Sequence, residues 1–431
     1  MNESQKEIPV NGKPADIINP NQAALDGADQ AADNKSPIDP IGIRDGIIEK
    51  KVDIGTQPDI NVDKARAAGT ISQVEPGSGT QLAELPEPEI NTPLLAAPKS
   101  PWQELPIKDS PDPHAPDHKK GKDAPHNLKV IGARVRGKSH KHVGTNCDDW
   151  FDFGFARDWT IMAVADGVGS RKLSRVGAKE ACGAAIKSLE QDLGQVTMTQ
   201  RTSKAQFKNR GRDGKFPDGD VNQVEQSLFR AMNAAYHACE DARDARKGRQ
   251  EYIVLLEHEP DVHDFSTTLL LAVHNCFTLE GKDYDFVMTL QVGDGMIAAV
   301  NADNKLSLLA KPDSGEFAGQ VVPITHPKIR DERELRSRVY TRIDRLKAIM
   351  LMTDGVADDF FPNDPEMLTL YDELMKQGII ASTPNGETLV KKEDALPETA
   401  AEILCGWLDS YLIKGSFDDR TLVVLFREDH T

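Results

Sequence analysis

Three apolar runs in this chain each carry an aspartate at one end, beside a glycine or a turn, and they lie far apart in sequence. They are TIMAVADGVGS with Asp166, AIMLMTDGVAD with Asp354, and GSFDDRTLVVLF with Asp418. A buried strand needs no charge at its tip, and desolvating an unpaired carboxylate is costly. A single Asp-Gly after a strand is ordinarily a turn. Three of them point to a fold that gathers strand ends, so that carboxylates from separate segments meet at a hard divalent cation.

Strands are expected at Ile161 to Ala165, Thr267 to Val273, Phe286 to Val292, Ile297 to Val300, Ala348 to Met352 and Thr421 to Phe426. Helical spacing appears between them. Ala181, Ala185, Leu189 and Leu193 form one apolar stripe, and Val224, Leu228, Ala231, Ala235 and Cys239 form a second. Strands and helices without regular alternation define an α+β class. The polar, basic stretch Arg201 to Lys215 reads as a surface loop.

The N-terminal part has a different composition. The first 126 residues hold 17 of the 26 prolines, 21 acidic against 13 basic residues, and one aromatic, Trp102. That is too little apolar surface to offset the entropy of ordering. Residues 1–126 are therefore expected to be a disordered, Pro-rich acidic leader, with docking segments at Ile41 to Ile48 and Leu94 to Ala97 as the alternative to a solvated tail. Residues 127–431 are expected to form one large domain.

The formal charge of −17 argues against a general nucleic-acid binder, which would carry a basic footprint. It does not exclude a phosphorylated substrate, because a metal centre supplies positive charge locally. Five scattered cysteines without C-x-x-C spacing argue against a disulfide framework or a zinc site. No apolar stretch approaches the roughly 18 residues that span a bilayer. A cytoplasmic protein with no membrane partner is the expectation.

Six segments, in order, resemble the metal-dependent type 2C (PPM) protein serine/threonine phosphatases, in particular their divergent bacterial branch. SHKHVGTNCDDWF, Ser139 to Phe151, is similar to that branch's S-H-x-x-x-G-x-x-C-Q-D opening, with Asp149 at the motif aspartate and Asp148 in place of the glutamine. ADGVGS, followed by Ser174 and Gly177, resembles the D-G-x-G turn and first helix. FSTTLLLAV, VGDGMIAAV, MTDGVADDF and FDDRTLVVL resemble the remaining strand and turn motifs. The resemblance covers roughly residues 130 to 427 and implies two packed antiparallel β-sheets flanked by α-helices, with the metal centre in a cleft at one end.

The resemblance also implies roles. Asp166 bridges two metals, the Gly167 carbonyl holds one, and Asp354 and Asp418 bind the other. Asp149 acts through water on the metal, and Asp294 matches a carboxylate that helps form a third, weaker metal site. Asp149 and Asp294 also suit turn or capping positions. The family places the last ligand three residues before the Thr, here Thr421, which selects Asp418 over Asp419. Oxygen-only ligands suit Mg²⁺ or Mn²⁺. Two such cations acidify a shared water and neutralise a phosphoryl group, so the expected reaction is hydrolysis of phosphoserine or phosphothreonine on a protein, opposite a cognate kinase.

Many relatives carry an arginine five residues before the first-motif aspartate, and here that position is Gly144. Lys138, His140 and Lys141 are the nearby candidates for phosphate, although none copies a bidentate guanidinium fork. His140 and His142 are either surface residues or phosphate and proton contacts, and Cys147 reads as packing. A non-catalytic scaffold, a small-molecule phosphoesterase and a two-metal nuclease are the competing classes. The clustered carboxylates argue against the first, and the acidic charge against the last.

Overall fold

The computed structural model describes residues 102–108, 110–198, 219–279, 281–313, 321–360, 364–380, 399–413 and 416–427. The expected disorder of residues 1–101, both candidate docking segments and the loop at 201–215 lie outside them.

Two antiparallel sheets pack face to face. The first has strand order β1-β2-β11-β10-β7-β8 and the second β3-β4-β5-β6-β9. In chain order these are β1 (Asp117–Ala124), β2 (Leu128–Val135), β3 (Trp150–Ala156), β4 (Trp159–Ala165), β5 (Leu269–Leu279) and β6 (Lys282–Val292). They continue with β7 (Met296–Asn301), β8 (Leu306–Leu308), β9 (Val339–Asp344), β10 (Leu346–Met352) and β11 (Arg420–Arg427). This is the α+β sandwich the sequence implied.

The expected strands read as continuous apolar runs because both of their faces are covered. In β4, Met162 and Val164 enter the core between the sheets, while Trp159, Ile161, Ala163 and Ala165 face the helices. In β11, Val423 and Leu425 point between the sheets, and Leu422, Val424 and Phe426 point to the other helix layer. Outside the second sheet, both predicted apolar stripes are buried on α2 (Ser174–Leu193) and α3 (Asp220–Asp244), with Cys182 and Cys239 filling core space. A short α1 (Lys138–Val143) precedes β3, and α4 (Gln250–Leu256) follows α3. Next come α5 (Glu332–Ser337), α6 (Asp354–Phe360), α7 (Asp364–Lys376) and α8 (Ala400–Ser410). The last three cover the first sheet. Among the described residues, no helix is long and apolar enough to cross a membrane.

The boundary expected at residue 126 moves. Strand β1 pairs with β2 along its whole length, from Asp117↔Val135 to Ala124↔Leu128. It is an edge strand, and its exposed Lys119 and Lys122 suit an edge that must not recruit another sheet. Residues 102–116 also belong to the domain. They are held by polar contacts more than by apolar burial, which is why composition hid them. Arg134, fully buried, donates to the Ala115 carbonyl, and the Asp112 carboxylate receives Arg246 and the Tyr252 hydroxyl, each at 2.8 Å.

Candidate metal centre

The carboxylates converge where strands of both sheets end. After β4, the Asp166 backbone is pinned to the start of β5. Its N–H donates to Thr268 Oγ1 at 2.8 Å, and its carbonyl accepts from the Thr268 N–H and the Thr267 hydroxyl, both at 2.8 Å. Gly167 then forms a bridge with Thr267, and a Cβ there would meet the Asp148 carbonyl at 2.8 Å. Asp294 sits in the turn from β6 to β7, and Asp354 opens α6 directly after β10. Carboxylate oxygens of Asp166, Asp294 and Asp354 all lie within 4.8 Å of one another.

Among the described residues no cation side chain pairs with this group, and its proton affinities are shifted accordingly. Burial, then the charges of Asp354, Asp149, Asp418 and Asp294, push the Asp166 carboxyl well above the ordinary range. Asp354 is lifted to about 7 by burial and by Asp294, Asp418 and Asp358. Asp294 is raised too, chiefly by burial, and its Oδ1 is buried with no hydrogen-bond partner. A buried carboxylate oxygen without a donor is the position a cation would fill. The oxygen-only donor set fits Mg²⁺ or Mn²⁺.

The neighbouring Asp418 and Asp419 divide two jobs. Asp419 is buried, and its carboxylate accepts from the Gly137 N–H at 2.6 Å, the Asp148 N–H at 2.6 Å and His140 Nδ1 at 2.8 Å. Its oxygens are therefore spent on structure. Asp418 opens to solvent, accepts from the Asp419 N–H at 2.8 Å, and its pKa is raised by the protein packed behind it and by Asp419. Asp418 is thus the one of the pair whose carboxylate stays open, and one of its oxygens groups with one of Asp419 and a ring nitrogen of His140 within 4.8 Å.

Asp149 is 1% exposed and is held by two hydroxyls, Thr353 at 2.8 Å and Thr421 at 2.6 Å. Burial and Asp419 still raise it strongly. Cys147 is fully buried and its thiol is pushed up by burial, which fits packing.

The three phosphate candidates separate. Burial alone would lower the His140 pKa, but the bond to Asp419 and the charges of Asp419, Asp148 and Asp418 lift it to about 9, so it is an imidazolium. Its Nε2 lies 3.9 Å from Asp148, itself raised to about 7 by burial and Asp419. Lys141 is tied to Asp409 at 2.5 Å, which takes its ammonium away from a phosphate role. Lys138 lines a crevice shared with Asp418 and Asp409. His142 is exposed and accepts from the Gln103 N–H. Gly144 caps α1 at φ 76°, where a Cβ would also lie 2.9 Å from the Pro106 carbonyl, so the missing arginine has no room there.

Sequence reading missed three features. Asp358, four residues beyond Asp354 on α6, is the next carboxylate charge acting on Asp294 and contributes at Asp354; the i, i+4 spacing was its signal. Thr353 and Thr421 clasp Asp149 from two strand ends and gave no local cue. The turn holding Asp294 is tied by Asp313, which accepts the Gly293 N–H at 2.9 Å and pairs with Arg338 at 2.6 Å.

A second group, His274, Cys276 and Asp285, also has ligand-type atoms within 4.8 Å of one another. Its carboxylate is already satisfied, although His274 Nδ1 is buried without a partner. Asp285 accepts from His274 Nε2 and the Leu346 N–H at 2.8 Å and from Arg427 at 3.0 Å, which makes it a clamp between the sheets.

The model of the protein phosphatase 2C family matches residues 136–385, more than half of the chain. The protein belongs to the protein phosphatase 2C family. No curated relative matches it in sequence. Similar solved structures include a phosphatase from Toxoplasma gondii, at 11% identity and TM-score 0.42, covering 72% of this chain and 96% of that one. The serine/threonine phosphatase Stp1 from Staphylococcus aureus shares 14% identity at TM-score 0.38, covering 71% and 98%. RsbX, solved in complex with magnesium, shares 13% at TM-score 0.34, covering 72% and 99%.

Proposed function

We propose that the chain is a metal-dependent phosphatase that hydrolyses phosphoserine and phosphothreonine in proteins. The observation that carries this reading is the convergence of Asp166, Asp294 and Asp354 with no cation side chain among them and one buried oxygen left unpartnered. Asp166, the Gly167 carbonyl, Asp354 and Asp418 would hold two Mg²⁺ or Mn²⁺ ions, and Asp294, with Asp358 nearby, a third. When bound, such ions acidify water and neutralise phosphoryl oxygens.

The chain's own residues supply the rest. Thr353 and Thr421 fix the Asp149 carboxylate in one orientation, where it can accept a proton from water in the cleft. Charged His140, buttressed by Asp419, offers a cation at the rim for the substrate phosphate, with Lys138 as a second point charge. Point charges in place of a guanidinium fork leave orientation of the phosphate to the metal ligands.

Phosphate release from a phosphothreonine peptide and from p-nitrophenyl phosphate, with Mn²⁺ and with chelator, tests the reading. Metal-dependent turnover of the peptide is expected. Full activity in chelator would overturn the metal role, and turnover of the aryl phosphate alone would favour a small-molecule substrate.

A further inference from the structure

The segment that precedes β1 is built into the rim of the site. Along α1, the Leu105 N–H donates to the Lys141 carbonyl at 2.8 Å, and the Lys108 N–H to the Gly144 carbonyl at 2.9 Å. Two buried arginines beside the site grip carbonyls of the same segment. Arg136 donates to Leu105 at 2.8 Å and to Thr145 at 3.1 Å, while Arg175, in the first turn of α2, donates to Pro111 at 2.6 Å and Asp112 at 3.0 Å. At the near end the Trp102 ring stacks on Phe417, with centroids 4.9 Å apart and planes at 28°, and meets the His142 ring edge-on at 5.2 Å. The Phe417 carbonyl in turn accepts from the Ser139 N–H at 2.9 Å and the Ser139 hydroxyl at 2.7 Å. The next residue is Asp418.

Trp102 and Phe417 keep 40% and 41% of their surface exposed, so this stack is not there to close a core. It joins three pieces instead: the N-terminal segment, α1 with His140, and the turn that presents Asp418. Stacked aromatic pairs are directional contacts, suited to holding one backbone against another.

We propose that Trp102 is a positioning residue for the metal centre, clamping Phe417 against α1 so that Asp418 is held in place for the cation. The inference rests on Asp418 being a metal ligand, as read above. It makes the N-terminal segment an input to the site: a partner or modification that draws Trp102 off Phe417 loosens Asp418 and lowers cation affinity without touching a ligand.

Calorimetric titration of Mn²⁺ into the full-length protein, with melting of the metal-free samples, decides it. Trp102→Ala is expected to weaken Mn²⁺ binding about tenfold, as when other residues that orient a ligand from outside are removed. Trp102→Phe, which can still stack, should restore most of the affinity, and the metal-free melting temperatures should match wild type. Wild-type affinity in Trp102→Ala overturns the proposal. So does a weakening matched by a fall in metal-free melting temperature, which marks a merely structural role. If wild type binds no Mn²⁺, the metal centre falls and this proposal with it. If wild type binds Mn²⁺ yet hydrolyses nothing, the catalytic reading alone falls, and the effect of Trp102 on Mn²⁺ still supports the clamp.

Discussion

Aspartates withdrawn from solvent lie at both ends of the sandwich, and the two ends treat their charge in opposite ways. β5 and β11 each run from one end to the other: Thr268 and Asp418 lie at the carboxylate cluster, and Cys276 and Arg427 at the clamp. At the clamp, burial would raise Asp285, but His274, the Leu346 N–H and Arg427 hold its pKa below the ordinary value. At the cluster, burial and neighbouring carboxylates act together, and Asp166, Asp354 and Asp294 are all raised. Burial acts at both ends, so the opposite directions come from the counter-charges that Asp285 has and that, among the described residues, the cluster lacks.

The largest expected effect separates two neighbours within the cluster. Asp418→Asn should abolish metal-dependent turnover while leaving the metal-free melting temperature unchanged. Asp419→Asn should destabilise the fold by about 3 kcal/mol, because it weakens three hydrogen bonds to a buried carboxylate. Denaturant unfolding and a phosphatase assay on both variants check this, and a stable, inactive Asp419→Asn beside an active Asp418→Asn would reverse the assignment.

Next in size is the clamp. Asp285→Ala leaves Arg427 and His274 without their partner and should lower stability by about 3 kcal/mol while Mn²⁺ affinity by calorimetry stays at wild type. Altered Mn²⁺ binding would break the separation of the two ends.

The smallest effect is on pH dependence. With Asp354 at about 7 in the fold, the metal-free folded protein binds more protons than the unfolded chain between pH about 4 and about 7, so stability falls as pH rises through that window. Asp285, lowered in the fold, acts the other way: its contribution is present above the ordinary carboxylate pKa and lost as pH falls below it. Melting scans across pH should show both limbs. Mn²⁺ should reverse the first limb and leave the second, and a metal-insensitive profile would contradict the comparison.

Doubly covered strands such as β4 and β11 were legible because both faces are apolar, although β2, LKVIGARV, covered in the same way, was passed over. The edge strands were not: β1, DHKKGKDA, and β9, VYTRID, are carried by backbone pairing with a neighbour that composition does not reveal. In the site, the aspartates that follow apolar runs could be read one by one. Asp418 was set apart from Asp419 only by the family register, and the physical task of Asp419 stayed hidden, because it depends on Gly137, His140 and Asp148, more than 270 residues away in sequence. Residues 102–116 escaped for a related reason, since their anchors Arg136 and Arg175 are charged and gave no apolar signal.

The cysteines carry a consequence for redox chemistry. Cys147, Cys182, Cys239 and Cys405 are buried, and only Cys276 is partly open. Burial raises every one of these thiols, Cys239 and Cys276 to about 12 and Cys405 to about 11. Oxidants and alkylating agents attack the thiolate, and almost none exists here at neutral pH. Peroxide at levels that silence enzymes working through a cysteine nucleophile should leave this protein's thiols reduced, so oxidation of a cysteine is not the way to switch it.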